Sequence, residues 1–583
     1  MAGALTLLVG GLAVSATTAG ERGRERLLAG DAAGAEMEFR RQMRWPWATR
    51  RAEAGLALAL SLQGRRTDAQ PALSDLDALA PTALIDTALE RENLEGAREA
   101  AALLLRAGHP LGALYAAALA LENGDVEEAG RLAAASPVPL ASRPLGRHLE
   151  QSLVLRAFGA SAIVRDRRGT LVGALDSEGR LALAEDLDPL LLPPFRRAPP
   201  PRRRLPARSE LATPFWLSPE DVRAAAQSGG LRLTLDLDLA RLALDALGRW
   251  RGTIVLLEPR TGAVLAAVSD PRTRAREGAA AFTQRREPAS ISKVVTAAAA
   301  YRSGIDPDAA IGHTTCKGVE RFGGKPLWCS WKAGALDGLD HALAISCNIA
   351  FARLGVRIGK ERLAAELRRW GFDEEPPALL GAAGRIHSPP KHDRQLADLS
   401  IGLTQSDITP LHAALLATVV ANGGSMPEPR LVAGMSGPVG LAERVAELAQ
   451  ARRVIGPRTV PPLLRAMRAV ALYGTGTGIA PRGFPVAMKT GTAAEYRKGY
   501  HVNYIGIAPT PESSVAFCVR ITYRPNSRAV NRAAREVTSA LLQGLADRRL
   551  ALEQAARRQR SLAAWPARRQ GRRSEVDSDL HSP

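Results

Sequence analysis

Between residues 252 and 271 the chain reads GTIVLLEPRTGAVLAAVSDP. Two apolar runs of strand composition flank a Pro-Arg-Thr-Gly turn, so this stretch predicts a β-hairpin. Helical patterns follow it. Strand patterns return near the C-terminal end in FPVAMKTGTAAEY and HVNYIGIAPTPESSVAFCVRITY. Strands, then helices, then strands within one unit predict an α+β domain with helices packed against an antiparallel sheet. That domain is expected over 211–548.

At 583 residues the chain is too long for one core. Residues 21–150 are rich in Ala, Leu, Arg and Glu with helical periodicity, and predict an all-α N-terminal domain. Breaks fall at AGD (29–31), QGR (63–65), AGHP (107–110) and ENGD (122–125). The pattern Gly-Asp-x-x-x-Ala occurs at 30–35 and again at 124–129. Paired short helices of this kind fit an α-solenoid of tetratricopeptide type or a plain bundle. Residues 151–210 predict a small β segment, 161–183, and then a Pro/Arg-rich linker. The first twenty residues carry no charge. They read as a signal or membrane-anchor segment, with an apolar first helix as the alternative. Residues 549–583 read as a fraying helix and then a basic disordered tail.

The formal net charge of +19 points to anionic surroundings. The charge is spread along the chain and no nucleic-acid-binding motif accompanies it, so nucleic acid is not an expected partner. Of 78 basic residues only eight are lysines, at 293, 317, 325, 332, 360, 391, 489 and 498. In so arginine-rich a chain, a retained lysine can mark a position that needs an amine able to lose its proton; chance retention is the alternative, and accounts for most of the eight. None of the four cysteines forms a Cys-x-x-Cys pair, and no zinc or other metal site is expected. Cys316 and Cys329 flank one glycine-rich loop and can close it as a disulfide in an oxidising compartment; two unrelated thiols are the alternative.

Ser290 and Lys293 stand three apart at the start of an apolar helix, in REPASISKVVTAAAAY. Positions i and i+3 share a helix face, so the amine can reach the hydroxyl. The helix N-terminus favours negative charge on the serine oxygen, and burial would lower the lysine pKa towards a usable base. Ser388 and Lys391 have the same spacing, but Pro389 and Pro390 between them disfavour a helix. A serine and a lysine at a helix start are most often a cap and a surface charge. Two further elements alter that balance. AISCNIAF supplies Ser346, able to relay protons, and Asn348, able to hold a peptide carbonyl. KTGTA supplies Lys489 and Thr490 for a carboxylate, and Gly491 for close backbone approach. The Thr492 backbone N–H, with that of Ser290, would form an oxyanion hole.

With these three motifs in order, residues 230–548 resemble the transpeptidase domain of penicillin-binding proteins, in the penicillin-recognising serine acyltransferase family. The motifs are Ser290-Ile291-Ser292-Lys293, Ser346-Cys347-Asn348 and Lys489-Thr490-Gly491-Thr492. LEPRTGAVLAAVSDP, IGLTQSDITPLHAALLATVVANGG and NYIGIAP are similar to the family as well. The resemblance implies a peptidoglycan D,D-transpeptidase working through a Ser290 acyl-enzyme. Lys293 would be the base, Ser346 the proton relay, and Asn348, Lys489, Thr490, Gly491 and Thr492 substrate-binding residues. Stem peptides ending in D-Ala-D-Ala would be the substrate, β-lactams the inhibitors, and no cofactor is implied. The expected location is the extracytoplasmic face of a bacterial envelope, with membrane association through the N-terminus and cell-wall protein partners on the helical region. A D,D-carboxypeptidase, a β-lactam-binding or β-lactam-hydrolysing homologue and a non-catalytic scaffold remain open. The chain departs from the family pattern at Ala289, where glycine is usual, at GLTQS (402–406), and in the short connection from Glu495 to His501.

Overall fold

The computed structural model describes residues 93–193 and 214–573, with short gaps at 158, 185–186, 331, 376–377, 441–442, 447–450, 496–498, 510–513 and 525, together with scattered residues between 22 and 89. The predicted hairpin forms as β1 (Gly252–Leu257) and β2 (Val264–Ser269), and every residue in both strands is buried. Successive side chains of a strand point to opposite faces, so complete burial means that both faces of the sheet are covered. The C-terminal strands are β3 (Ala487–Glu495), β4 (Gly499–Pro509) and β5 (Ser514–Arg524). They join the hairpin in one antiparallel sheet of order β3-β4-β5-β1-β2. The predicted α+β architecture is therefore the observed one.

Four helices position the cleft described below: α1 (Lys293–Arg302), α2 (Asn348–Ile358), α3 (Pro410–Ala421) and α4 (Ser527–Arg573). Helix α3 is buried from Pro410 through Val420, and it packs on the sheet as α4 does. Helix α1 is buried from Lys293 through Ala300. Its all-round apolar composition suits a central helix. A glutamate, aspartate or lysine in such a helix would ordinarily be expelled, so the lysine at its first position is an exception that its partners must sustain.

A second sheet has six strands. Ala162–Arg165, Leu171–Leu175 and Leu181–Leu183 supply the predicted small β segment. They do not stand apart: Ile163 to Arg165 pair in parallel with Gly230 to Arg232, and Val432–Ser436 extends the sheet from there. The boundary expected at 210/211 therefore runs through one hydrogen-bonded unit. Most of the predicted linker, 191–210, lies outside the described residues, which are interrupted at 194–213, as do residues 1–20 and 574–583. The helix α4 continues to Arg573, well into the segment expected as a tail.

The N-terminal helices include Ala32–Met43, Leu94–Arg106, Gly112–Glu122, Val126–Ala134 and Pro144–Ala157. They explain the repeated pattern. Asp31 accepts the Gly34 N–H at 2.8 Å and Asp125 the Glu128 N–H at 3.0 Å, each capping a helix start. The alanines of the pattern, Ala35 and Ala129, are fully buried. Among the described residues no helix is long and apolar enough to cross a membrane.

Candidate active site

Ser290 lies in a 3₁₀ turn, Ala289–Ser292, and α1 begins at Lys293. The turn is pinned from two sides. The His501 ring nitrogen contacts the Glu287 carbonyl at 2.8 Å, and the Asn503 amide donates to the Glu287 and Pro288 carbonyls at 3.1 Å each. Asn503 is itself oriented by the buried Arg520, which donates to its Oδ1 at 2.7 Å and to the Ile408 carbonyl at 2.9 Å. Sequence reasoning passed over this network, because a histidine, an asparagine and an arginine on two strands carry no local signature.

Ala289 adopts φ 54°, in the left-handed region. Glycine enters that region freely, whereas an alanine there costs about 1–2 kcal/mol. The Ala289 N–H donates to the Gly402 carbonyl at 2.8 Å, so the GLTQS segment holds the alanine in this conformation. Gly402 has φ 75°, and a Cβ on it would fall 2.3 Å from the Ala289 oxygen.

The two lysines of the motifs converge on one hydroxyl. Lys293 Nζ donates to the Ser346 carbonyl at 2.7 Å, to Asn348 Oδ1 at 2.7 Å and to Ser346 Oγ at 3.2 Å. Lys489 Nζ donates to the same Ser346 Oγ at 2.9 Å and to the Thr490 carbonyl at 2.7 Å. Ser346 has φ 59°, a strained position held by these contacts. The direct Ser290–Lys293 hydrogen bond expected from their spacing is absent, because the amine turns to Ser346 and Asn348 instead. Asn348 donates from Nδ2 to the Trp328 carbonyl at 2.8 Å, which leaves its second N–H for a ligand.

Both amines are fully buried. Burial brings Lys293 down to about 8, against a smaller upward pull from Cys347 and Cys329. Lys489 is held well below the usual lysine range by burial first and by the charge of Lys293 second. Two amines sharing one hydroxyl in an apolar setting resist carrying two protons.

A cleft of about 390 Å³ opens beside Ser290, with Lys293 and Lys489 buried behind its lining. Ser290, Ser346, Asn348, Thr490, Gly491 and Thr492 all line it. A Cβ on Gly491 would lie 3.0 Å from the Ser290 nitrogen and 3.1 Å from the Ile291 nitrogen, so β3 passes directly over the nucleophile's turn. Ser388 and Lys391 lie in an irregular, non-helical segment.

Among the lining residues that went unread in the sequence, three shape the wall of the cleft. Thr475 meets Thr490 hydroxyl to hydroxyl at 2.6 Å. Asn531 and Arg535, one turn apart on α4, complete the wall. Asn531 Oδ1 accepts from the Thr492 and Tyr504 hydroxyls at 3.1 Å each. Arg535 donates to the Thr475 carbonyl at 3.1 Å. YGTGTG was a visible glycine-rich signal for the Thr475 turn; α4 offered none.

The disulfide expected between Cys316 and Cys329 is not formed, and both keep their thiols. A third thiol explains why the pair is not exclusive: Cys347 Sγ lies 3.7 Å from Cys329 Sγ.

Comparison with known proteins agrees with this geometry. Residues 252–543 match the penicillin binding protein transpeptidase domain. The chain is 30% identical over 336 residues to the peptidoglycan D,D-transpeptidase PbpA of Mycolicibacterium smegmatis, covering 51% of this chain and 67% of the relative. It is 28% identical over 325 residues to penicillin-binding protein PbpB of the same organism, covering 49% of each. Among solved structures, penicillin-binding protein A from M. tuberculosis, as an acyl-enzyme complex, overlays with a TM-score of 0.53 at 22% identity, covering 66% of this chain and 98% of that one. The transpeptidase domain of a peptidoglycan glycosyltransferase from Eggerthella lenta overlays with a TM-score of 0.51 at 22% identity, covering 66% of this chain and 99% of that one. The fold, the convergence of the three motifs on one cleft and the match over half the chain have a single reading: this protein belongs to the penicillin-binding protein transpeptidase family.

Proposed function

We propose that the chain is a peptidoglycan D,D-transpeptidase that cross-links stem peptides through a Ser290 acyl-enzyme. The observation that carries this reading is the Ser346 hydroxyl shared by two buried lysines at the edge of the Ser290 cleft. In its neutral form Lys293 keeps two N–H bonds, matched to the Ser346 carbonyl and Asn348 Oδ1, and one lone pair. That lone pair faces Ser346 Oγ in this structure and turns to Ser290 for the reaction, accepting its proton as Ser290 Oγ attacks the carbonyl of the penultimate D-Ala. The Ser290 and Thr492 backbone N–H groups bind the oxyanion. As the C–N bond breaks, the proton passes from Lys293 through Ser346 Oγ to the departing D-Ala amine. Lys489, Thr490 and Thr475 bind the terminal carboxylate. An amine from a second stem then attacks the ester, loses its proton to the same relay and forms the cross-link.

Among the described residues no carboxylate lines the cleft, so water has no base there besides the Lys293–Ser346 relay. This favours a long-lived penicillin adduct over β-lactamase turnover. The reading also carries an extracytoplasmic location at the cell envelope and protein contacts through the helical N-terminal region.

Labelled penicillin tests the first half. A stable 1:1 adduct that disappears in Ser290→Ala supports the acyl-enzyme; no adduct, or rapid release of hydrolysed drug, overturns it. Donor and acceptor stem peptides test the second half. Dimer formation supports transpeptidation, and release of D-Ala without dimer assigns a D,D-carboxypeptidase instead.

A further inference from the structure

We infer that Cys316, Cys329 and Cys347 form a binding site for one thiophilic metal ion, of the Zn²⁺ or Cu⁺ type, directly behind the Ser346-Asn348 wall of the cleft. Their sulfurs all lie within 4.8 Å of one another. Two thiolates on a tetrahedral zinc, each about 2.3 Å from the ion, stand about 3.8 Å apart. The Cys329–Cys347 separation of 3.7 Å is of that size. A bonded pair would be close to 2 Å apart. Cys316 and Cys347 are buried and Cys329 is half-buried, beside Ser330 of the cleft lining. The site is therefore dry on two sides and has an entrance on the third.

Cys329 sits where negative charge on sulfur is favoured. The sulfurs sit at the N-terminus of the eleven-residue helix α2, and the Asn348 backbone N–H donates to Cys329 Sγ at 3.0 Å. Amide donors and a helix N-terminus both favour negative charge on sulfur. Three soft thiolates in this setting select Zn²⁺ or Cu⁺ over Mg²⁺ or Ca²⁺. Loading with Zn²⁺ releases three thiol protons and leaves a net charge of −1 on the cluster, with a fourth position open to water. The ligand spacing in sequence is not that of a zinc knuckle, which is why the cysteine count alone argued against such a site.

The consequence for the cleft is mechanical. Cys347 lies between Ser346 and Asn348, so an ion on its sulfur anchors the turn that carries Ser346 at positive φ. This inference does not depend on the assignment of Ser290.

The test is a titration of the full chain, reduced and held without oxygen, with Cd²⁺ as a spectroscopic stand-in and then with Zn²⁺ and Cu⁺ in competition. The expected result is one ion per chain, with a sulfur-to-metal charge-transfer band. Cys316→Ser should weaken binding at least tenfold and shrink the band by about a third, while Cys518→Ala leaves both unchanged. Should Cys316→Ser fail to fold, the ¹¹³Cd resonance of the native chain reports the number of bound sulfurs directly, and three are expected. No charge-transfer band overturns the inference, as does a band indifferent to Cys316. A disulfide between any two of the three thiols in protein prepared without added oxidant also overturns it.

Discussion

The base assigned to Lys293 can be tested through its proton. An ordinary lysine near 10.5 is neutral in roughly one molecule in 3,000 at pH 7. Burial of Lys293 brings its pKa to about 8, so about one molecule in eleven carries the neutral amine at that pH. The fold thus supplies roughly 300-fold more base at pH 7 than an exposed lysine would. The rate of Ser290 acylation by penicillin should rise about fivefold from pH 7 to 8, and about tenfold in all by pH 9. Stopped-flow acylation under single-turnover conditions, with a labelled penicillin from pH 6 to 10, measures this limb. Lys293→Arg should abolish it and lower the rate at least a thousandfold, because a guanidinium keeps its proton throughout. A rate that stays flat between pH 7 and 9, or a Lys293→Arg variant retaining a tenth of the activity, would refute the assignment. The same shift has a stability counterpart. The folded chain loses this proton near pH 8 and the unfolded chain only near 10.5, so stability rises with pH between those values, by about 3 kcal/mol in total. Urea unfolding at pH 8 and pH 10 should show the rise, and Lys293→Met should remove this share of it, leaving the share of the buried Lys489.

Gly491→Ala places a Cβ 3.0 Å from the Ser290 nitrogen. It should lower acylation by about 100-fold or more through the oxyanion hole, with the melting temperature nearly unchanged; acylation within threefold of native would show that β3 and the Ser290 turn do not form it. Arg520→Leu removes the buried donor to Asn503, Gln284 and Ile408, each such bond to a charged group contributing about 1.5–3 kcal/mol. A loss of about 3 kcal/mol or more in urea unfolding is expected, together with slower acylation as the Ser290 turn loosens. Ala289→Gly relieves about 1–2 kcal/mol of left-handed strain, against about 0.5–1 kcal/mol of added chain entropy. Its stability should sit within about 1 kcal/mol of native and its acylation rate within threefold, whereas Ala289→Val should cost over 2 kcal/mol by the same measurements.

The sequence settled what local pattern can settle. Apolar strand runs around a Pro-Arg-Thr-Gly turn were enough for the hairpin, and the order of strands and helices was enough for an α+β domain. The Asp-to-Ala repeat announced two capped helices whose alanines are buried. Retained lysines in an arginine-rich chain pointed to Lys293 and Lys489, and both are fully buried amines. Ala289 was visible as a departure, though not its positive φ. What stayed hidden depends on residues far apart in the chain. That Lys293 addresses Ser346 and Asn348 rather than Ser290 follows from where α2 lies against α1. That Asn531 and Arg535 wall the cleft follows from the packing of α4 on the sheet. The gathering of Cys316, Cys329 and Cys347, at spacings that carry no motif, likewise comes from the loop folding back on the start of α2. Hydrogen bonds and burial at that range are set by packing geometry, and no one-dimensional spacing encodes them.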